Sequence, residues 1–465
     1  MSTGPTTSLT ETLVAYWAKA SYRDLPAETI RAAKRHLLDT IAAGVAGAGT
    51  EVTVATRKAL AAAHEGAGGS AVLWGTAAAL APPQAALVNG TAAHALELDD
   101  FGGCGHSGAV VIPAVCATAD LLGSSGEAVL AAIVAGFDLA ARVLEGAGGY
   151  RPHNDLGWHS TGTCGSFGAA AAVAKLLALD APRFTAALGI AGTFTGGIWA
   201  YLVDGAMTKR FHPGKAAENG LSAAFLAQAG MTGPRFVLEA EWGGFYSTYA
   251  RETATPAATL DGLGREFRIL RSGFKPYACC RGIHGCFDAL FEMMAEGGFG
   301  HEAIEAMIVH GSAQTRRQFE RDRVENLLDA QFSLPYSLAV AAESGRGTLD
   351  QYVPLRTSEP VIADLMARVQ IVADRILKQG ESPALELRLR DGRRIERQTP
   401  FAKGAPENPL SDDELETKAA SLIPPVLGDG AFRNLLAAIR DLEAMYDFRE
   451  LTRILQPAPR ASRRA

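Results

Sequence analysis

Four stretches of the chain place histidine, lysine or carboxylate side chains among glycines and other small residues. The densest runs His94-Ala-Leu-Glu97-Leu-Asp99-Asp100-Phe101-Gly-Gly-Cys-Gly-His106-Ser-Gly. An imidazole titrates near neutral pH, so His106 suits proton transfer, with the neighbouring acids orienting it. The plain alternative is a solvated loop closing an acidic helix end. The glycines weigh against it, because they shape a backbone for close approach to another group. A metal set drawn from His94, Asp99, Asp100 and His106 is a third reading. Its spacing matches no familiar ligand signature, and no metal is assigned.

The second stretch is Gly157-Trp158-His159-Ser-Thr-Gly-Thr-Cys-Gly-Ser-Phe-Gly. Backbone N–H groups at the start of the Ala-rich helix that follows can face an anion. The third, Met207-Thr-Lys209-Arg210-Phe-His212-Pro-Gly-Lys215, stands just ahead of a buried-type helix and offers a carboxylate clamp from Lys209, Arg210 or Lys215. The fourth is Gly273-Phe-Lys275-Pro-Tyr-Ala-Cys279-Cys280-Arg281-Gly-Ile-His284, at a junction between domains where ligand pockets are favoured. Cys279, Cys280 and Cys286 lack ferredoxin-type spacing. Each stretch has an ordinary structural reading: a capped helix, an exposed charged turn, a basic linker. Four of them in one chain favour a single site for a polyanionic small molecule.

Helices must carry most of these groups. Residues 8 to about 240 read as helix after helix. Apolar residues recur at i, i+3, i+4 in the first two, and Pro26, Pro83 and Pro182 stand at helix starts. Val110–Leu122, Glu127–Leu144, Gly165–Leu179 and Ala216–Ala229 are apolar nearly all round, as helices buried on several sides are. The pattern changes after about residue 270. Strands are expected at Ala303–Ser312, Val369–Ala373, Ala384–Arg390 and Arg393–Gln398, the last two flanking the turn Asp391-Gly392. Helix returns at Ser411, with a capping-type start. The expectation is a mainly α protein with an inserted α+β domain: a large helical domain built from residues 1–272 and 405–465, and a smaller lid of residues 273–404. The tail 457–465 reads as frayed.

Composition narrows the function. Of 465 residues, 44 are basic and 50 acidic, a net charge of −6, which argues against a nucleic-acid surface. Hydrophobic residues make up 48% and charged residues 20%, as in a globular protein. No apolar run is long enough to span a bilayer, and the first residues have neither a basic region nor an apolar core, so a signal peptide is not expected. Six cysteines in a chain this long form no disulfide framework. Reduced thiols and a cytoplasmic protein, acting without membrane or nucleic acid, are expected.

Around these stretches the chain resembles the MmgE/PrpD family. The resemblance rests on His94 to Asp100, His106-Ser-Gly-Ala-Val-Val-Ile-Pro-Ala, Trp158 to Ala169, Lys209 to Ala217 and Gly233-Pro234. It continues through Lys275 to Arg281, Phe332-Ser-Leu-Pro-Tyr336 and Lys403-Gly-Ala-Pro-Glu-Asn408-Pro409. It implies a helical domain with an inserted lid, a homodimer, and cofactor-free chemistry on small polycarboxylates. Known members include 2-methylcitrate dehydratase, cis-aconitate decarboxylase and iminodisuccinate epimerase. Carried over by motif, His106, His159, Lys209, Lys275 and Tyr336 would be catalytic. Glu97, Asp99, Asp100 and Cys280 would bind substrate, joined by Lys215 and Arg281 of the basic stretches. This chain departs from the usual pattern in having Glu97 for an aspartate, Phe101 for a threonine, and a loop shorter by one residue before His106. The expected activity is a lyase, a dehydratase of a hydroxylated di- or tricarboxylate first, with decarboxylation or epimerisation as alternatives. A non-catalytic carboxylate binder is the competing class.

Overall fold

The computed structural model describes residues 8–63, 68–321, 323–378 and 380–457; the tail beyond 457 lies outside them. The helical body contains α1 (Leu9–Trp17), α2 (Ala27–Gly47), α3 (Pro82–His94), α4 (Gly108–Leu122), α5 (Gly126–Gly146), α6 (Gly165–Leu176), α7 (Ala181–Thr193) and α8 (Thr208–Gln228). Pro26 is the residue before α2 rather than its first residue, while Pro83 and Pro182 occupy first-turn positions. The centre of the body is α8 laid along α3 and α6, with α4 and α5 beside them. Small residues permit this. A methyl group at Gly90 of α3 would stand 2.7 Å from the Cα of Gly214 in α8, and one at Gly214 would stand 2.2 Å from the Leu87 carbonyl oxygen. The two backbones therefore touch where most helix pairs keep side chains between them.

α8 begins eight residues before the expected Ala216, so the Lys/His stretch is helix and not a preceding turn. Pro213 sits inside it. Packing on α3 and α6 overrides the local breaker signal of Pro-Gly. The consequence is geometric: Lys209 and His212, three apart, share one face, while Lys215 lies across the helix from Lys209. The helix ends at Gln228, within a residue of the expected Ala229; the chain to Ile283 is turns, a π-helical stretch at Tyr246–Ala250 and short 3-10 stretches. Buried Arg142 of α5 pins part of this segment. It bonds the Asp138 carboxylate at 2.6 Å and the carbonyls of Thr259, Asp261 and Glu266 at 2.8–3.2 Å.

The α+β part holds a four-stranded sheet of β1 (Ile304–Gly311), β2 (Val369–Ala373), β3 (Ala384–Leu389) and β4 (Arg394–Arg397) in the order β2-β1-β3-β4. β2 runs parallel to β1; β3 is antiparallel to β1, and β4 to β3. The hairpin forms at Asp391-Gly392, as the sequence indicated, with Gly392 at φ 88°. α9 (His284–Gly297) and α10 (Leu334–Ser344) pack with this sheet. The chain then returns. α11 (Asp412–Leu422) starts on a capping box of Ser411 and Glu414 and lies on α2, where Lys418 pairs with buried Asp39 at 2.5 Å. A mainly α architecture with a smaller α+β part is thus the fold. Among the described residues no single helix is long and apolar enough to cross a membrane, and all six cysteines are free thiols.

Candidate active site

α3 delivers His94 at its last turn, and the loop to α4 carries Glu97, Asp99 and His106 beside it. That loop is tightly wound: Glu97 itself adopts φ 55°, a left-handed conformation that costs a non-glycine residue energy. Such a side chain is held by its partners. The Glu97 carboxylate accepts from the ammonium groups of both Lys209, from α8, and Lys275, the latter at 3.0 Å. Lys275 reaches it because the loop is stitched to the Lys275 segment: Phe101 and Gly273 exchange backbone hydrogen bonds of 3.0 and 2.9 Å.

The imidazoles follow from the same carboxylates. His94 donates from Nδ1 to Asp99 at 2.9 Å, and its Nε2 accepts from Lys209 at 3.0 Å. His106 donates from Nδ1 to the Asp100 carbonyl at 2.8 Å, with the Asp99 carboxylate 3.1 Å away. A carbonyl can only accept, so the Nδ1 hydrogen of His106 is assigned and its Nε2 is left as the working nitrogen. The His106 and His94 rings lie 4.2 Å apart, and the His159 ring 6.4 Å from His106. His159, just before the short helix Ser160–Thr163, bonds His212 of α8 between Nδ1 atoms at 2.9 Å.

Burial sets the charges. Desolvation lowers the His94 pKa to about 3, only partly offset by Asp99. His159 is pushed well below 6.5 by burial, with His212 and Lys209 adding to the effect. Burial would raise the carboxyl pKa of Glu97, yet Lys209 and Lys275 hold it well below the usual range. Asp99 is lowered likewise, by His94 and His106 against burial. Lys209 is lowered by burial against Glu97, while Glu97 and Asp99 raise Lys275 despite its burial. The site therefore holds two ammonium groups against two carboxylates, with His94 and His159 neutral. His106 is the most exposed member at 13%, against 3% or less for Glu97, Asp99, His94, Lys209 and Lys275.

The nitrogens of His94 and His106 and an oxygen of Asp99 lie within 4.8 Å of one another, a set that could hold a metal ion. Its surroundings fit a cation poorly. The Lys209 ammonium already stands 3.0 Å from His94 Nε2, and that of Lys275 3.9 Å from Asp99 Oδ1. A divalent ion there would face two positive charges at close range.

Several expected residues serve other ends. Lys215 is half exposed and pairs with Glu218 at 2.8 Å, on the far side of α8 from the site. The Asp100 carboxylate accepts the Gly108 N–H at 3.0 Å with both oxygens, anchoring the start of α4, and packs on His36. Tyr336, expected as a donor from the lid, has its hydroxyl bound to the Gln351 carbonyl at 2.8 Å and the Arg356 N–H at 3.1 Å, a wholly internal arrangement. Arg281 stacks on Phe101 at 4.2 Å and clamps the Ala402 and Lys403 carbonyls at 2.6 and 2.7 Å. Cys280 stays near Glu97 and the lysines; burial and Glu97 raise its thiol pKa. Two residues outside the expected set matter. His212 was in view only as part of a basic stretch. Gln331 joins three pieces of the site, donating to the Leu96 and Ala278 carbonyls at 2.8 and 3.0 Å and accepting from Arg210 at 2.9 Å. Its only sequence sign was its place beside Phe332, whose ring lies 5.4 Å from the Lys209 ammonium.

Residues 11–256 match the model of the MmgE/PrpD N-terminal domain, and residues 277–444 that of the MmgE/PrpD C-terminal domain. The chain belongs to the MmgE/PrpD family and is an enzyme of its lyase type. It is 29% identical to the cis-aconitate decarboxylase-like protein oryM of Aspergillus oryzae, over 93% of this chain and 94% of that one. It is 27% identical to the cis-aconitate decarboxylase of Homo sapiens, over 92% and 91% of the two chains. With the cis-aconitate decarboxylase of Aspergillus terreus it shares 26% identity over 95% of each.

Proposed function

We propose that the protein decarboxylates a small unsaturated tricarboxylate of the cis-aconitate kind, without a cofactor, by proton transfer beside a carboxylate. The observation that carries this reading is the Glu97 carboxylate held between the Lys209 and Lys275 ammonium groups, with His106 and His159 alongside. Each ammonium has three hydrogens. Lys209 gives one to Glu97 and one to His94, and Lys275 gives one to Glu97, so both retain donors for a substrate carboxylate. The free site is balanced in charge; an entering polyanion makes it negative and draws the imidazole pKa values upward. When the C–CO2 bond breaks, its electron pair spreads into the neighbouring unsaturated carboxylate, where the ammonium groups stabilise it. A protonated imidazole, that of His106 or His159, then delivers a hydrogen to carbon. The hydrogen bond of its Nδ1 to the Asp100 carbonyl leaves His106 Nε2 available, which supports this role. The likeness to relatives named cis-aconitate decarboxylases supports decarboxylation over the dehydration favoured from sequence alone.

Incubation with cis-aconitate followed by mass spectrometry tests the reading. Loss of CO2 supports it, loss or gain of water moves the assignment to the dehydratase type, and an unchanged substrate defeats both. Activity is expected to persist in a chelator; activity lost there and restored by one divalent ion would return the role to His94, Asp99 and His106 as ligands.

A further inference from the structure

His159 does not stand alone. Its Nδ1 faces the Nδ1 of His212 at 2.9 Å. Two lone pairs or two N–H groups cannot share that distance, so one hydrogen lies between the rings. The arrangement is built by two independent elements. The His159 N–H bonds the Gly197 carbonyl at 3.0 Å. The bare Cα of Gly197 leaves room for the second ring, since a methyl group there would come within 3.3 Å of His212 Nδ1. α8 supplies His212 on the face that also presents Lys209. The groups facing His159 are His212, Lys209, His106 and His94; those facing His212 are His159 and Lys209. Tyr201 closes the side, its ring 5.9 Å from both, and its buried hydroxyl has no partner.

We propose that His212 is a positioning residue that works through His159, returning or taking the Nδ1 hydrogen as His159 Nε2 loses or gains one. The inference rests on the reading of His159 as a proton carrier. The balance is as follows. With the pair neutral and the hydrogen on His159, Nε2 of His159 is a bare base, and His212 carries its own hydrogen on Nε2. If Nε2 of His159 takes a proton from substrate, the Nδ1 hydrogen crosses to His212. His159 is then neutral with an Nε2 hydrogen, and His212 carries the positive charge. In the reverse direction that hydrogen goes to the carbanion, and His212 hands the Nδ1 hydrogen back. No charge need remain on His159, which stands among Lys209, His94 and His106.

Histidine 15N NMR of the full-length enzyme at neutral pH, with and without citrate, tests the pair without requiring turnover. The wild type is expected to show His159 and His212 in complementary states at Nδ1, one bearing hydrogen and one bare. His212→Asn, whose amide oxygen can accept but cannot take up a proton, is expected to hold His159 in its Nδ1–H form. With cis-aconitate it should lower kcat by about tenfold or more while KM changes by less than about threefold. His212→Phe should lower kcat at least as far. Two bare or two protonated Nδ1 atoms in the wild type, or a kcat for His212→Asn within about twofold of wild type, would overturn the proposal. Should the wild type not turn over cis-aconitate, the functional reading fails while the NMR states still decide the pair.

Discussion

His106 and Lys275 are held by partners that leave one job open to each: an Nε2 not engaged by the Asp100 contact on the imidazole, and free N–H donors on the ammonium. Replacing either with alanine should lower cis-aconitate turnover by ~10²-fold or more, the scale of an acid–base or oxyanion group. Steady-state kinetics check this, and unchanged turnover in both variants would discard the roles. Lys215→Ala should leave turnover within about twofold, because its ammonium pairs with Glu218 outside the site. Tyr336→Phe separates the two accounts of that residue. Loss of its hydroxyl bonds to Gln351 and Arg356 should cost about 1–3 kcal/mol of stability in denaturant melts, with kcat of the folded enzyme little changed. A large kcat loss at unchanged stability would restore it as a donor. The ionisable members of the site were legible from type and company, since His, Lys and Glu among glycines have few other uses. His212 and Gln331 were not, because their significance lies in partners more than 50 residues away in the chain.

At the level of elements, the site depends on three pieces meeting: the loop between α3 and α4, the first turns of α8, and the segment around Lys275. Gln331 bonds all three, so Gln331→Leu leaves the buried Leu96 and Ala278 carbonyls and the Arg210 guanidinium without that partner. We expect about 2 kcal/mol or more of destabilisation by denaturant titration and a parallel loss of activity. A variant of full stability and activity would show that the three pieces are fixed by packing alone. Most helix and strand positions could be read from periodicity and turn residues, down to the hairpin at Asp391-Gly392. The start of α8 could not. The Pro213-Gly214 pair in its Lys-Arg-Phe-His-Pro-Gly sequence disfavours helix, and burial against α3 and α6 overrides it. For the same reason Lys215 looked like a neighbour of Lys209, although the helix turns it away.

For the whole molecule, buried neutral histidines make acid stability a sharp test. Burial lowers the pKa to about 3 in His94 and about 4 in His153, from an ordinary 6.5. Between those values and 6.5 the unfolded chain binds protons at these rings and the folded chain does not. These rings therefore take stability away as the pH drops below 6.5, by up to ~1.4 kcal/mol per pH unit for each, while Asp120, whose carboxyl pKa burial raises to about 6, acts in the opposite sense below that pH. Melting temperatures measured from pH 7 to pH 4.5 should therefore decline less steeply in His153→Gln than in the wild type; equal slopes would mean that the His153 ring is protonated in the folded protein. The mainly helical fold with a smaller α+β part was legible in the change of pattern after about residue 270, but the closure of the site was not. It comes from Glu97 bridging two lysines drawn from distant segments, a contact that no local pattern announces. The central claim is that this cluster binds a polycarboxylate and delivers a proton to carbon. Incubation with cis-aconitate in D2O, followed by NMR, tests it most directly. The account predicts release of CO2 and one deuterium bound to carbon in the product, with both abolished together in Lys275→Ala. Saturable binding of cis-aconitate, with neither CO2 released nor deuterium entering any C–H position, would contradict it.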